Sequence, residues 1–290
     1  MSLIGTLTSG VSALRSFTKG LEVIGNNIAN VNTVGYKSTR AVYADSFSDT
    51  LRGAAPSTAT TSNQSALQIG TGVKLASVVA RYTQGSLNTT GVSTDLGISG
   101  NGYFRVQNPV DSQEYVTRAG AFRIDDSGYL VTSQGYRVLG LTGGVAGTPP
   151  ATLGPIKLAT LAPTDPQRKE ISIDRTGNLI EFYADGTSVT TNQVLLQNFA
   201  DPSSLVREAD NLFSGMLTAG PIGGATMTAA NNTPSGNGLG SIESGALELS
   251  NVDLTEEFAN LITTQRSFQA SSRLVTVSDS VLEDIVNLKR

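Results

Sequence analysis

Leu3, Leu7, Gly10, Leu14, Phe17, Leu21, Ile24, Ile28 and Val31 follow one another in alternating steps of four and three, apolar everywhere but at Gly10. Such spacing draws one apolar stripe along an α-helix. At 1.5 Å per residue the seam spans roughly 45 Å. A second seam closes the chain. Asn251 or Asp253 can cap a helix whose first turn carries Glu256 and Glu257, acids suited to the positive end of the helix dipole. Leu254, Phe258, Leu261, Phe268, Val275 and Leu282 form one stripe; Leu274, Val277, Val281, Ile285 and Leu288 form an adjacent one. Lys289 and Arg290 fall where cations favour a helix end. Two such helices carry more apolar stripe than one antiparallel pair covers. The surplus implies partners, namely other copies of the same chain.

Between the seams the period shortens to runs of β type, punctuated by Gly, Asp, Asn and Ser. Strands are predicted at 73–80, 103–107, 114–118, 121–125, 129–132, 171–174, 178–183 and 193–199. Tracts near 53–66, 141–170 and 214–240 read as loop connectors. "IDDSGYLV" (124–131) and "IDRTGNLI" (173–180) repeat one strand–glycine turn–strand pattern. The fold class is therefore α+β. Residues 1–36 with 250–290 are expected to form a helical bundle domain, and 37–249 a β-rich domain of hairpins.

Composition closes off most catalytic chemistry. The chain of 290 residues has no Cys and no His, which excludes disulfides, Cys/His zinc sites and His-dependent nucleophilic catalysis. Asp125 and Asp174 lack the ligand spacing of a calcium loop, and Gly97–Gly102 lacks that of a phosphate loop. No cofactor and no metal is expected. A net charge of −4 gives no whole-chain attraction to nucleic acid, and no apolar run approaches the roughly 20 residues of a membrane span. The first residues lack a basic region, and Arg15 and Lys19 interrupt the apolar stretch that a cleaved signal peptide needs. A secreted β-rich binding protein or hydrolase is the distant alternative to a structural protein.

"IGNNIANVNTVGYK" (24–37) sets Asn26, Asn27 and Asn30 beside the apolar Ile24, Ile28 and Val31. Asparagine is a mediocre helix former, so its recurrence points to side-chain bonding that fixes helix register without burying charge. Asn32-Thr33 then ends the helix, and Gly35 supplies a left-handed turn.

"NNIANVNTVGYK" resembles the signature of the bacterial flagellar rod–hook family of axial proteins. In family order so do "QGSLNTTGVSTDLGISGNGYFRV" (84–106), "TRAGAFRIDDSGYLVTSQGYRVLG" (117–140), "LLQNFADPSSL" (195–205) and "SGALELSNVDLTEEFANLITTQRSFQASSRLV" (244–275). The resemblance implies a non-enzymatic subunit of the hook or basal body that transmits torque for motility. It implies export by the flagellar secretion apparatus without a cleaved signal, and homopolymerisation through the terminal helices. Rod, hook-cap and junction proteins are the implied neighbours. The expected assembly interface comprises Leu7, Leu14, Leu21, Ile24, Asn27, Ile28, Asn30, Val31, Leu254, Phe258, Leu261, Phe268, Val275 and Leu282. Both ends of the chain look most like the hook member, whereas the short span from Leu141 to Ile171 resembles the distal rod members.

Overall fold

A computed structural model describes residues 3–54, 56–57, 62–145, 149–158 and 167–288. Lys289, Arg290 and parts of the connectors at 53–66 and 141–170 lie outside the described residues, as do the side chains of Leu3 and Leu288. The chain divides into two compact units, one of Met1–Ala29, Ser38–Arg81 and Val252–Arg290, the other of Asn30–Lys37 and Tyr82–Asn251.

The first unit pairs the ends of the chain. Helices Leu3–Ala29 and Leu254–Leu288 run antiparallel, with Asn27 meeting Glu257 and Thr6 meeting Ser278. Asp253 is the cap of the second helix, its carboxylate accepting from the Thr255 N–H at 2.8 Å and the Glu256 N–H at 3.3 Å. Gly10 interrupts the apolar seam for a steric reason. A Cβ there would lie 2.7 Å from Val275 Cγ2, so the missing side chain lets the helices approach. Four strands complete the unit: β1 (Thr39–Asp45), β2 (Ser48–Arg52), β3 (Leu67–Gly70) and β4 (Val73–Ala80). β1 and β4 form one antiparallel ribbon, β2 and β3 another.

This assignment moves a boundary. Sequence patterning places 37–249 in one β-rich domain, but Ser38–Arg81 packs with the terminal helices. The physical reason is that a two-stranded ribbon cannot bury an apolar face alone. The N-terminal helix supplies the second layer: Phe17 meets Tyr43 edge to face at 5.8 Å, and Ser16 Oγ donates to the Val73 carbonyl at 3.2 Å.

Among the described residues the second unit holds an antiparallel sheet of thirteen strands and two antiparallel pairs, Leu96–Ser99 with Ser241–Ser244 and Leu87–Thr89 with Ala246–Glu248. Its central path runs through Arg168–Ile173, Asn178–Tyr183, Ser188–Val194, Arg137–Thr142, Tyr103–Gln107, Glu114–Thr117, Leu212–Ser214 and Val206–Arg207. Phe104, Val106, Phe122, Leu130, Val138 and Ile156 anchor the main core on one face. Tyr103, Val116, Phe199 and Phe213 form a smaller cluster.

Two expected connectors are structured. Within 141–170, Thr152–Pro155 pairs with Arg137–Thr142, because backbone hydrogen bonding tolerates the Gly-rich composition that lowered the strand signal. Within 214–240, Pro221–Ile222 pairs with Asn198–Phe199, and Met227, Asn232 and Leu239 are buried. The repeated hairpins do share a turn. Asp125 accepts from the Tyr129 N–H at 2.7 Å, Asp174 from the Asn178 N–H at 3.1 Å, and Gly128 and Gly177 take φ of 82° and 81°.

Gly10→Leu separates the sequence logic from the packing logic. Leucine completes the seam and gains about 1 kcal/mol of helix propensity. The Val275 contact makes it an overpacked position, with a cost of about 1–3 kcal/mol. Net destabilisation is expected, as a lowered melting temperature of the full chain.

Candidate assembly interface

The C-terminal helix exposes apolar residues along two adjacent stripes. Leu261, Phe268, Val275 and Leu282 are half-buried, whereas Leu254 and Phe258 are 40 % and 50 % exposed. Ile262, Leu274, Val277, Val281 and Ile285 continue the exposed set, with Val277 at 60 %. Leu7, Leu14, Leu21, Ile24, Ile28 and Val31 are half-buried. Exposed leucine, isoleucine and valine thus recur at helical spacing along a helix of 35 residues. Sequence patterning singles out most of this face but not Ile262.

The asparagines divide by role. Asn27 is 1 % exposed, and its amide is engaged within the chain. Its Nδ2 donates to the Thr39 carbonyl at 2.7 Å while its Oδ1 accepts from the Thr39 N–H at 3.0 Å, so the side chain bonds the first residue of β1 as a neighbouring strand would. The same Nδ2 donates to Glu257 Oε1 at 2.9 Å. One amide thus fixes the N-terminal helix against both the ribbon and the other helix. Asn30 is half-buried, and its Oδ1 accepts from Thr33 Oγ1 at 3.0 Å in the turn that ends the helix.

Glu257 is 8 % exposed beside a cavity of about 200 Å³ lined by Ile24, Thr39, Tyr43, Arg81 and Glu256 among others. Burial raises its pKa above the usual glutamate value; the Asn27 bond opposes that rise, Glu256 adds to it, and Arg81 opposes it. Arg81 itself pairs with Glu256 at 3.0 Å.

The second unit holds a buried ionic clasp where the 24–37 stretch ends. Lys37 (1 % exposed) donates from Nζ to Glu248 Oε1 at 2.7 Å and to the Thr83 carbonyl at 2.8 Å. Arg118 donates from Nη1 to Glu248 Oε2 at 3.1 Å and from Nη2 to the Gly100 carbonyl at 2.7 Å. Glu248, fully buried, also accepts from the Gly85 N–H at 3.0 Å. Burial lowers the Lys37 pKa, and Glu248 opposes that shift. Arg118 lies over the Tyr103 ring at 5.3 Å, and burial pushes the Tyr103 hydroxyl up to about 12.

Backbone geometry feeds the clasp. Gly35 takes φ of 68° and donates its N–H to the Glu248 carbonyl at 2.8 Å. A Cβ at Gly35 would lie 2.7 Å from the Ala119 nitrogen, so no other residue fits there. Asn251 Nδ2 donates to the Thr83 carbonyl at 3.0 Å. The chain passes between units after Ala29, Lys37, Arg81 and Asn251, and three of these four passages lie at or within two residues of Lys37, Thr83 or Asn251 in this network.

Three family descriptions match the chain: "Flagella basal body rod protein" over 7–37, "Flagellar hook protein FlgE/F/G D1 domain" over 97–190, and "Flagellar basal body rod FlgEFG protein C-terminal" over 243–288. The flagellar basal-body rod protein FlgG of Bacillus subtilis is 38 % identical over 288 residues, 99 % of this chain and all of the relative. The chain belongs to the flagellar rod–hook family. The Borreliella burgdorferi protein of the same name is 30 % identical over 293 residues, covering all of this chain and 99 % of the relative. That organism's flagellar hook protein FlgE is 23 % identical across an alignment of 455 residues, covering 99 % of this chain and all of the relative.

The rod–hook protein is thus a structural component of the flagellar axis, not an enzyme, and such subunits polymerise with other axial proteins. Each clasp residue falls in a different matched segment: Lys37 ends the first, Arg118 lies in the second and Glu248 in the third.

Glu248→Gln leaves two buried cations without their anion and is expected to cost about 3–5 kcal/mol in denaturant unfolding. Lys37→Met leaves Glu248 paired with Arg118 and is expected to cost less. The reverse order would deny Glu248 its central place.

Glu257 gives a pH signature. Its folded pKa lies above its unfolded value, so the folded chain holds an extra proton between the two. Stability is therefore highest below the unfolded value and falls as pH rises through the folded one. Melting curves across this range are expected to show that slope, and Glu257→Gln, which keeps the bond to Asn27, is expected to remove it.

Proposed function

We propose that the chain is the subunit of the distal flagellar rod rather than of the hook. The observation that carries this reading is end-to-end similarity, at 30–38 % identity, to proteins named for the basal-body rod. The hook relative aligns only across 455 residues, which requires long insertions against this chain of 290. The short segment from Leu141 to Ile171 supports the same choice. Thr142 pairs in register with Thr152, and so short a segment leaves no room for a further domain. The hook reading, drawn from the two ends of the chain, is the weaker of the two.

Copies associate through the exposed face of the C-terminal helix, so the paired helices line a tube. Torque passes through the subunit, whose Glu248 clasp holds Lys37 and Arg118 together. Export without a cleaved signal, and contact with the neighbouring rod, junction and hook proteins, are part of the same proposal.

Deletion of the gene tests it. Cells without a distal rod subunit are expected to build no hook, whereas loss of a hook subunit leaves a complete rod visible in isolated basal bodies. Val277→Asp with Ile285→Asp adds carboxylates to the exposed apolar face. The double variant is expected to melt within about 0.5 kcal/mol of the parent yet to leave the deletion strain without hooks. Normal flagella from this variant would remove the C-terminal helix from the interface.

A further inference from the structure

The hairpin at 122–132 carries a basic patch that neither the sheet nor the terminal helices use. Arg123 pairs in register with Val131, and Val131 with Arg137, so the two arginines occupy one face of three adjacent strands. Tyr129 lies between cations: the Arg137 guanidinium stands 4.0 Å from its ring centroid, and Lys157 Nζ stands 5.1 Å from it. Among the described residues none of these three cations forms an ion pair. Of the two acids in the turn, Asp125 is engaged by the Tyr129 N–H, and Asp126 is exposed and in none of the ion pairs of the described residues. A guanidinium stacked on an aromatic ring has its plane fixed and its N–H edge free, the geometry that a carboxylate accepts two-pronged.

The same unit presents the complement elsewhere. Asp201, Glu208 and Asp210 are exposed within ten residues, while Arg207 of that segment turns inward, donating to the Lys37 carbonyl at 2.6 Å. Asp210 and Asn211 hold φ of 60° and 58°, so the acidic loop has a defined shape. Asp201 is held by Ser203 and Ser204, with its charge facing solvent.

We propose that the Arg123–Arg137–Lys157 patch binds the 201–210 loop of a second copy of this chain. The inference deepens the assembly reading and rests on it. A basic patch and an acidic loop at different places on one surface make a head-to-tail contact, which propagates into a helical array instead of closing as a dimer. The contact joins β-rich units and uses none of the exposed apolar residues of the C-terminal helix. The acids of the C-terminal helix, Asp279, Glu283 and Asp284, are the less favoured occupants, because they share a helix with that apolar face.

Charge exchange tests the contact on the full chain. Arg123→Glu with Lys157→Glu, both at exposed positions, is expected to slow seeded elongation by about tenfold or more at low ionic strength, with melting unchanged. Asp201→Lys with Asp210→Lys is expected to slow it similarly, and the combined four-site variant to recover elongation. Parental elongation that weakens with added salt would agree with the proposal, since ions screen such pairs beyond roughly 10 Å at 0.1 M. Unchanged elongation in either charge-reversed pair, or slowing of both with no recovery in the combination, overturns it. Should the parental chain itself form no tube, the assembly reading fails rather than this contact.

Discussion

A single buried carboxylate organises the region on which the chain's connections depend. Glu248 takes Lys37 from one sequence segment, Arg118 from a second and the Gly85 N–H from a third. Desolvating an unpaired carboxylate is prohibitive, so its three partners must arrive together. Their arrival fixes where Gly35 turns, where Thr83 lies and where Asn251 leaves the sheet. The clasp therefore ties segments far apart in sequence into one point of the second unit.

The helical unit solves a related problem without a full charge pair. Asn27 satisfies the backbone of Thr39 and one oxygen of Glu257, so a polar group fixes register between apolar elements. Apolar packing alone tolerates sliding by a turn, and the amide excludes that alternative. The glycine at position 10 contributes from the opposite direction, by removing bulk where Val275 must sit.

How far the sequence reveals this follows from the range of each interaction. The helices, the Asp253 cap, the Gly35 turn and the shared hairpin turns rest on local spacing, and local spacing is readable. β1 to β3 are harder: Thr39–Asp45 mixes Ala, Arg and Asp with its apolar residues, and Ser48–Arg52 is exposed throughout. Their strand character comes from partners and, for β1, from the N-terminal helix. The clasp is beyond sequence patterning. Lys37 and Glu248 stand 211 residues apart, and Arg118, between them, stands 130 from Glu248, each an ordinary charge in its own neighbourhood. The asparagine-rich motif does signal unusual bonding, but only the fold assigns Asn27 to the interior of the chain.

The pairing of Asn27 with Glu257 crosses 230 residues. A chain that stops short of residue 257 has an N-terminal helix with no partner for its buried amide and no apolar neighbour at Gly10. Such a fragment also lacks the exposed apolar residues of the C-terminal helix. The fold of the first unit is thereby completed late in synthesis: its N-terminal helix waits for the last segment of the chain before its buried amide and its glycine meet their partners.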